Sequence, residues 1–373
     1  MMSVHSNNAS KEMFNHSFCF SNNTITFPTL STVLASGVFC TLGLSSNMFA
    51  FVVLVKSFLR TQSRSRSSFL LFLCSLVVTD FMGLLVTGTI VIAYHIRKIK
   101  WMVLDPYCHL CNFMGMSMVF YGLCPLLLSA TMAAERFVGI THPFARSSNM
   151  SKSRACIMVA SVWMTAGCIS LLPLLGLGSY HLQSPGSWCF LNISSMPLDM
   201  AFCLVFSVVG LMSLVVSFIL NTVSVVTLLR VCCGQDSNQR RRDYEVEMMV
   251  QLILIMVIAS ICWYPLLVFI AQTVLSASQL DSHTLLLYIR FATWNQILDP
   301  WVYILFRRSI LKRVYPRMDW SRGSIISPYP PFSTLRRLTR SSIGHPASLN
   351  EQTSEELKQE DAFLSMQRVS HHS

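Results

Sequence analysis

The stretch TLLLYIRFATWNQILDPWVYILF, residues 284–306, sets a charged side chain, Arg290, inside an apolar run long enough to cross a bilayer. A spanning helix needs about 20 predominantly apolar residues. A cation at that depth costs on the order of 2.5–3.5 kcal/mol on insertion scales, so it calls for an anionic partner. Six further stretches of the same kind, 30–55, 67–95, 111–134, 155–178, 200–229 and 248–275, contain no Lys or Arg. Asp299 is nine residues further along the seventh stretch. That is about 13.5 Å of rise and half a turn out of phase, so the two charges of this helix cannot pair. The carboxylates near the outer ends are Asp105, Asp199 and Asp281. Two readings follow: Arg290 snorkels to one of these, Asp281 being nearest in sequence, or its planar fork binds a ligand carboxylate.

Composition agrees with a membrane protein. Of 373 residues, 53% are hydrophobic and 12% charged, and the mean hydropathy is +0.52. The expected fold class is an all-α bundle of seven transmembrane helices. The net charge of +11 does not signal nucleic acid, because the basic residues cluster after alternate spans. Lys56, Arg60, Arg64 and Arg66 follow the first, Arg136, Arg146, Lys152 and Arg154 the third, and Arg230 and Arg240 to Arg242 the fifth. The other loops hold only Arg97, Lys98 and Lys100. The positive-inside bias therefore places the N-terminus outside and the C-terminus in the cytoplasm.

Residues 1–29 form a polar outer tail with sequons at Asn8, Asn15 and Asn22, and Asn192 adds one in the second outer loop. A further sequon at Asn149 falls on the cytoplasmic side and is expected to stay unused. Of the 13 cysteines, Cys19, Cys108, Cys111 and Cys189 lie outside, where disulfides persist, and four cysteines allow three pairings. After the bundle, 30–306, the segment 307–317 reads as a short amphipathic helix on the inner membrane face, stopped by Pro316. It is followed by no cysteine that could be palmitoylated. The tail 318–373 is rich in Ser, Thr and Pro and is expected to be disordered. Its Arg336-Arg337-Leu338-Thr339 with Ser341 and Ser342 suits a basophilic kinase, or is a solvated linker.

Prolines fall inside three spans, at Pro125, Pro173 and Pro265, where each removes a helix hydrogen bond and favours a kink. Asp80, Leu84 and Thr87 share one face of the second span, with Thr87 about 10 Å outward of Asp80. For Thr87 the alternative is a hydroxyl returned to its own helix carbonyl. The alternatives are an interfacial position for His95 and plain core packing for Trp263.

Asn47, Asp80, Glu135-Arg136-Phe137, Trp163, Cys262-Trp263-Tyr264-Pro265 and Asp299-Pro300-Trp301-Val302-Tyr303 occur in order, each in its own span. Together they make the chain resemble the rhodopsin-like G-protein-coupled receptors over about residues 31–317. Pro185-Gly186-Ser187-Trp188-Cys189-Phe190, Asp299, Glu135 and Arg290 are similar to the prostanoid receptors within that family. The resemblance implies a prostanoid lipid ligand, a fatty acid with one carboxylate, bound by Arg290, Leu84, Thr87, His95, Ser187, Trp188 and Trp263. It implies pairing of Cys111 with Cys189, and then of Cys19 with Cys108. It also implies a switch of Glu135, Arg136, Glu245, Asp80, Asp299, Tyr303 and the Pro265 kink, read by a heterotrimeric G protein, with Gq favoured. Kinases and arrestin would act at the tail, in a plasma membrane whose lipids surround the bundle. Relatives bind sodium near the Asp80 position. Here Pro125 stands where they carry a serine and two carboxylates replace one, so sodium stays open and no metal or cofactor is expected. No nucleophile sits with a base, so no enzyme is expected. The competing class, a small-acid transporter, is disfavoured by the lack of internal repeats.

Overall fold

The computed structural model describes residues 19, 30–61, 64–97, 101–141, 152–234 and 239–305. Seven long helices dominate them: α1 (Leu30–Leu59), α2 (Arg64–Arg97), α3 (His109–Thr141), α4 (Lys152–Leu171), α5 (Pro197–Gly234), α6 (Gln239–Leu275) and α7 (Ser282–Leu305). They pack in a ring, α1 on α2 and α7, α5 on α3 and α6, α6 on α7, with α3 also against α2 and α4. Six of the seven are long and apolar enough to cross a membrane. The exception is α7. Its 24 residues suffice in length, but Arg290, Asn295, Gln296 and Asp299 lower its hydropathy. The helix that carries the informative charge is thus the least lipid-like.

Helices pair most of their backbone internally, which a bilayer demands. Pro125, Pro265 and Pro300 lie inside α3, α6 and α7. Pro173 does not kink α4, as the sequence suggested. The α-helix stops at Leu171, and Pro173 is the second residue of a 3-10 turn, Leu172–Leu175, closed by Gly176 at φ 95°. Proline in the first turn of a helix loses no N–H that the helix needs. The helices also run past the expected membrane limits at the inner face, α5 to Gly234 and α6 from Gln239.

The all-α expectation needs one amendment. Between α4 and α5 the outer loop forms an antiparallel hairpin of β1 (Tyr180–Gln183) and β2 (Trp188–Leu191). Its turn, Ser184 to Ser187, uses Gly186 at φ 93°, a left-handed conformation suited to glycine. A one-turn helix, Trp101–Leu104, precedes α3 and supports the hairpin through Trp101 Nε1, which donates to the Gly186 carbonyl at 2.6 Å.

Candidate ligand-binding site

The hairpin roofs a cavity of about 160 Å³ between the outer ends of the helices. Helical spacing decides who lines it. From α2 come Leu84, Thr87, Gly88, Val91 and His95, and from α7 Leu286, Ile289, Arg290 and Thr293, each set following the i, i+3, i+4, i+7 pattern of one helix face. The loop supplies Pro185, Ser187 and Trp188, and α3 supplies Met114 and Met118. A second chamber of about 50 Å³ shares Thr87, Met118, Ile289 and Thr293, and runs inward to Tyr121, Trp263 and Gln296. Gly122 opens it: a Cβ there would lie 2.8 Å from Cη2 of Trp263. Six of the seven expected ligand residues therefore line the outer cavity, and Trp263 lines the inner one.

Arg290 makes no ion pair among the described residues, where the one salt bridge joins Arg136 to Glu135. Its three rivals for a carboxylate are spent elsewhere. Asp105 Oδ2 accepts from the Cys111 amide at 2.8 Å. Asp199 accepts from Ser179, Asn192 and Ser194. Asp281 caps the start of α7, accepting from the His283 amide and the Thr284 hydroxyl. Those two bonds, Thr284 foremost, hold the Asp281 carboxyl below its usual value. Among the described residues, the snorkelling reading of Arg290 therefore finds no partner. Thr87 does take the local alternative: its hydroxyl donates to the Gly83 carbonyl at 2.6 Å, leaving only its oxygen lone pairs for a guest. His95 is buried on the cavity wall, and its Nδ1 has no hydrogen-bond partner.

The lid is fixed covalently. Cys111 pairs with Cys189, joining α3 to β2, and Cys19 pairs with Cys108. The Leu182 amide donates to the Cys19 carbonyl at 2.9 Å, so Cys19 lies beside β1. Tyr180 is buried under the hairpin and donates to the Ser170 carbonyl at 2.7 Å.

At the inner end Arg136 Nε lies 2.6 Å from Glu135 Oε2, with the guanidinium over the Phe69 ring. Glu245 lies in α6, but its side chain falls outside the described residues. Asp80 and Asp299 are buried within electrostatic reach of each other. Asp299 Oδ2 accepts from Asn295 Nδ2 at 3.0 Å, while Asn47 donates to the Gly43 and Gln296 carbonyls. Tyr303 is buried nearby.

Several wall residues escaped the sequence reading. Leu286, Ile289 and Thr293 share the Arg290 face, and their spacing could have found them. Ser36, Phe39 and Cys40 of α1 carry no such signal. Asn8, Asn15, Asn22, the 307–317 segment and the tail lie outside the described residues. Asn192 is described, and its amide is turned into the protein, a placement unlike that expected of a glycan acceptor.

A seven-helix bundle with a disulfide-held lid over a cavity is an architecture that membrane receptors use. The model of the 7 transmembrane receptor (rhodopsin family) matches residues 47–303, and the chain belongs to that family. It is a multi-pass receptor, not an enzyme. Among its relatives is the thromboxane A2 receptor of Bos taurus, 55% identical over 318 residues covering 82% of this chain and 90% of the relative. The prostaglandin F2-alpha receptor of Rattus norvegicus is 40% identical over 76% of this chain and 79% of its own length. The fold is similar to that of squid rhodopsin, with a TM-score of 0.63 at 18% identity, over 85% of this chain and 88% of that one.

Proposed function

We propose that the chain is a receptor for thromboxane A2, holding the prostanoid carboxylate on Arg290 and activating a heterotrimeric G protein, with Gq and calcium release as output. The observation that carries this reading is a greasy, roofed cavity with one permanent cation whose internal rivals are all engaged. A fatty acid with a single carboxylate matches that chemistry, since a bidentate guanidinium bond supplies both charge and geometry. The two-chambered cavity suits a long chain whose far end reaches Trp263, beside the Pro265 kink of α6. The ligand would then favour the outward state of the inner end of α6, and G protein would follow by population shift.

The identity to thromboxane A2 receptors, against 40% to a prostaglandin F2-alpha receptor, supports the choice among prostanoids. The basic inner loops support an outer N-terminus and a cytoplasmic tail, 318–373, for kinases and arrestin. Leu84, Thr87, His95, Ser187 and Trp188 are the proposed ligand contacts beside Arg290. Glu135, Arg136, Asp80, Asp299, Tyr303 and Glu245 are the proposed switch. Competition binding with a labelled thromboxane mimetic tests the choice. The mimetic should be displaced by its own acid well below the concentrations needed of prostaglandins E2, F2α and D2, and should raise calcium in whole cells. Tighter displacement by a prostaglandin would move the assignment to that subtype.

A further inference from the structure

The second outer loop carries Asn192-Ile193-Ser194, a glycan-acceptor pattern in an extracellular segment. Its side chains are turned inward. Asn192 Nδ2 donates to Asp199 Oδ2 at 2.8 Å and to Ser179 Oγ at 3.1 Å, so both amide hydrogens are used. Ser194 Oγ donates to the same Asp199 oxygen at 2.6 Å, and Ser179 Oγ donates to Asp199 Oδ1 at 2.9 Å. The Asn192 amide N–H donates to the Ser179 carbonyl at 3.0 Å, and the Cys203 thiol reaches the Asn192 carbonyl at 3.6 Å. Asp199 is buried in the first turn of α5, where the helix dipole favours a carboxylate. No basic side chain pairs with it among the described residues.

We infer that Asn192 carries no glycan in the folded receptor, and that Asn192, Ser194, Ser179 and Asp199 form a polar clamp fastening the lid hairpin to α5. A glycan replaces one of the two Nδ2 hydrogens and adds bulk at the amide. It would remove either the bond to Asp199 or the bond to Ser179 and push sugar between the exit of β2 and the start of α5. Leaving a buried acceptor short of a donor is costly, more so when it is charged. Modification therefore competes with the full clamp. The sequon's Asn and Ser are the same two residues that the clamp uses. Its position explains why a clamp is needed. Cys189 pins the middle of β2 to α3, and β2 then leaves toward α5. Without Asp199, Trp188 would be held over the cavity from one side only. None of this depends on which lipid the cavity accepts.

The test uses full-length receptor from the surface of glycosylating cells. Peptide mapping after enzymatic deglycosylation in ¹⁸O-water marks every asparagine that bore a glycan. Asn192 should be unlabelled; label on Asn192 in most of the surface receptor would overturn the inference. Thermal unfolding supplies a second arm. Asn192→Ala should lower Tm by about 1–2 °C, as the scaling of unfolding entropy with chain length implies. Ser194→Thr, which keeps both hydroxyl and sequon, should match wild type, and deglycosylating folded wild type should leave Tm in place. An Asn192→Ala receptor as stable as wild type would remove the clamp.

Discussion

The two ends of α7 hold the two charges of one helix, and they are treated oppositely. Arg290 at the outer end stands exposed on a cavity wall with no described carboxylate in reach. Asp299 at the inner end is 1% exposed and accepts a hydrogen bond from Asn295, one turn away. A charge that can still exchange partners suits the proposed carboxylate anchor. A group sealed beside an amide and a second buried carboxylate suits the proposed switch. The nine residues between them keep the two from neutralising each other.

The comparison breaks first at Arg290. Arg290→Gln should weaken an acid ligand by about 1.5–3 kcal/mol, the usual range for a hydrogen bond to a charged group, or about 10- to 150-fold in Kd. Saturation binding checks it, and Asp299→Asn should not reproduce it. The lid above Arg290 is the next place to push. A Cβ on Gly115 would sit 2.4 Å from the Tyr180 ring, which its bond to Ser170 holds in place. Gly115→Ala should cost about 1–3 kcal/mol by overpacking, read as a lowered Tm. Gly37→Ala, with nothing within 4 Å, should be silent as a control.

The double variant Arg290→Gln with Asp299→Asn sharpens the contrast. Ligand affinities should add to within about 0.5 kcal/mol, as for well-separated sites, while signalling and its pH dependence change with Asp299→Asn alone. We propose that Asp80 and Asp299 share one proton, and unchanged signalling would remove that idea. The smallest effect lies in the lid. Burial holds the His181 imidazole below its usual value, against the opposing pull of the Leu182 carbonyl and the Asp199 charge. The unfolded chain then takes up its proton first as pH falls below about 6.5. Stability is full above that pH and declines beneath it. Thermal melts of wild type from pH 7.5 to 5.5 should fall more than those of His181→Gln.

Much of this was legible before any coordinates. Seven apolar runs, broken by loops of alternating basic content, fix a helical bundle because lipid forbids unsatisfied backbone. Arg290 stood out because a lone cation in such a run has few physical excuses. The hairpin was missed as structure, although Pro185-Gly186 between Tyr180-His181-Leu182-Gln183 and Trp188-Cys189-Phe190-Leu191 is a turn signal between strand-like residues. Pro173 was misplaced because a span's length does not reveal where its α-helix stops. The α1 wall was illegible, since Ser36, Phe39 and Cys40 differ in no way from lipid-facing neighbours. The inward amide of Asn192 was illegible, because a sequon reports three residue types and not the direction of an amide.

The most direct measurement is the affinity of a prostanoid acid and its methyl ester for wild type and for Arg290→Gln. The account predicts that wild type prefers the acid, and that Arg290→Gln loses most of the acid's affinity while barely changing the ester's. Equal losses for acid and ester would contradict a carboxylate anchor at Arg290.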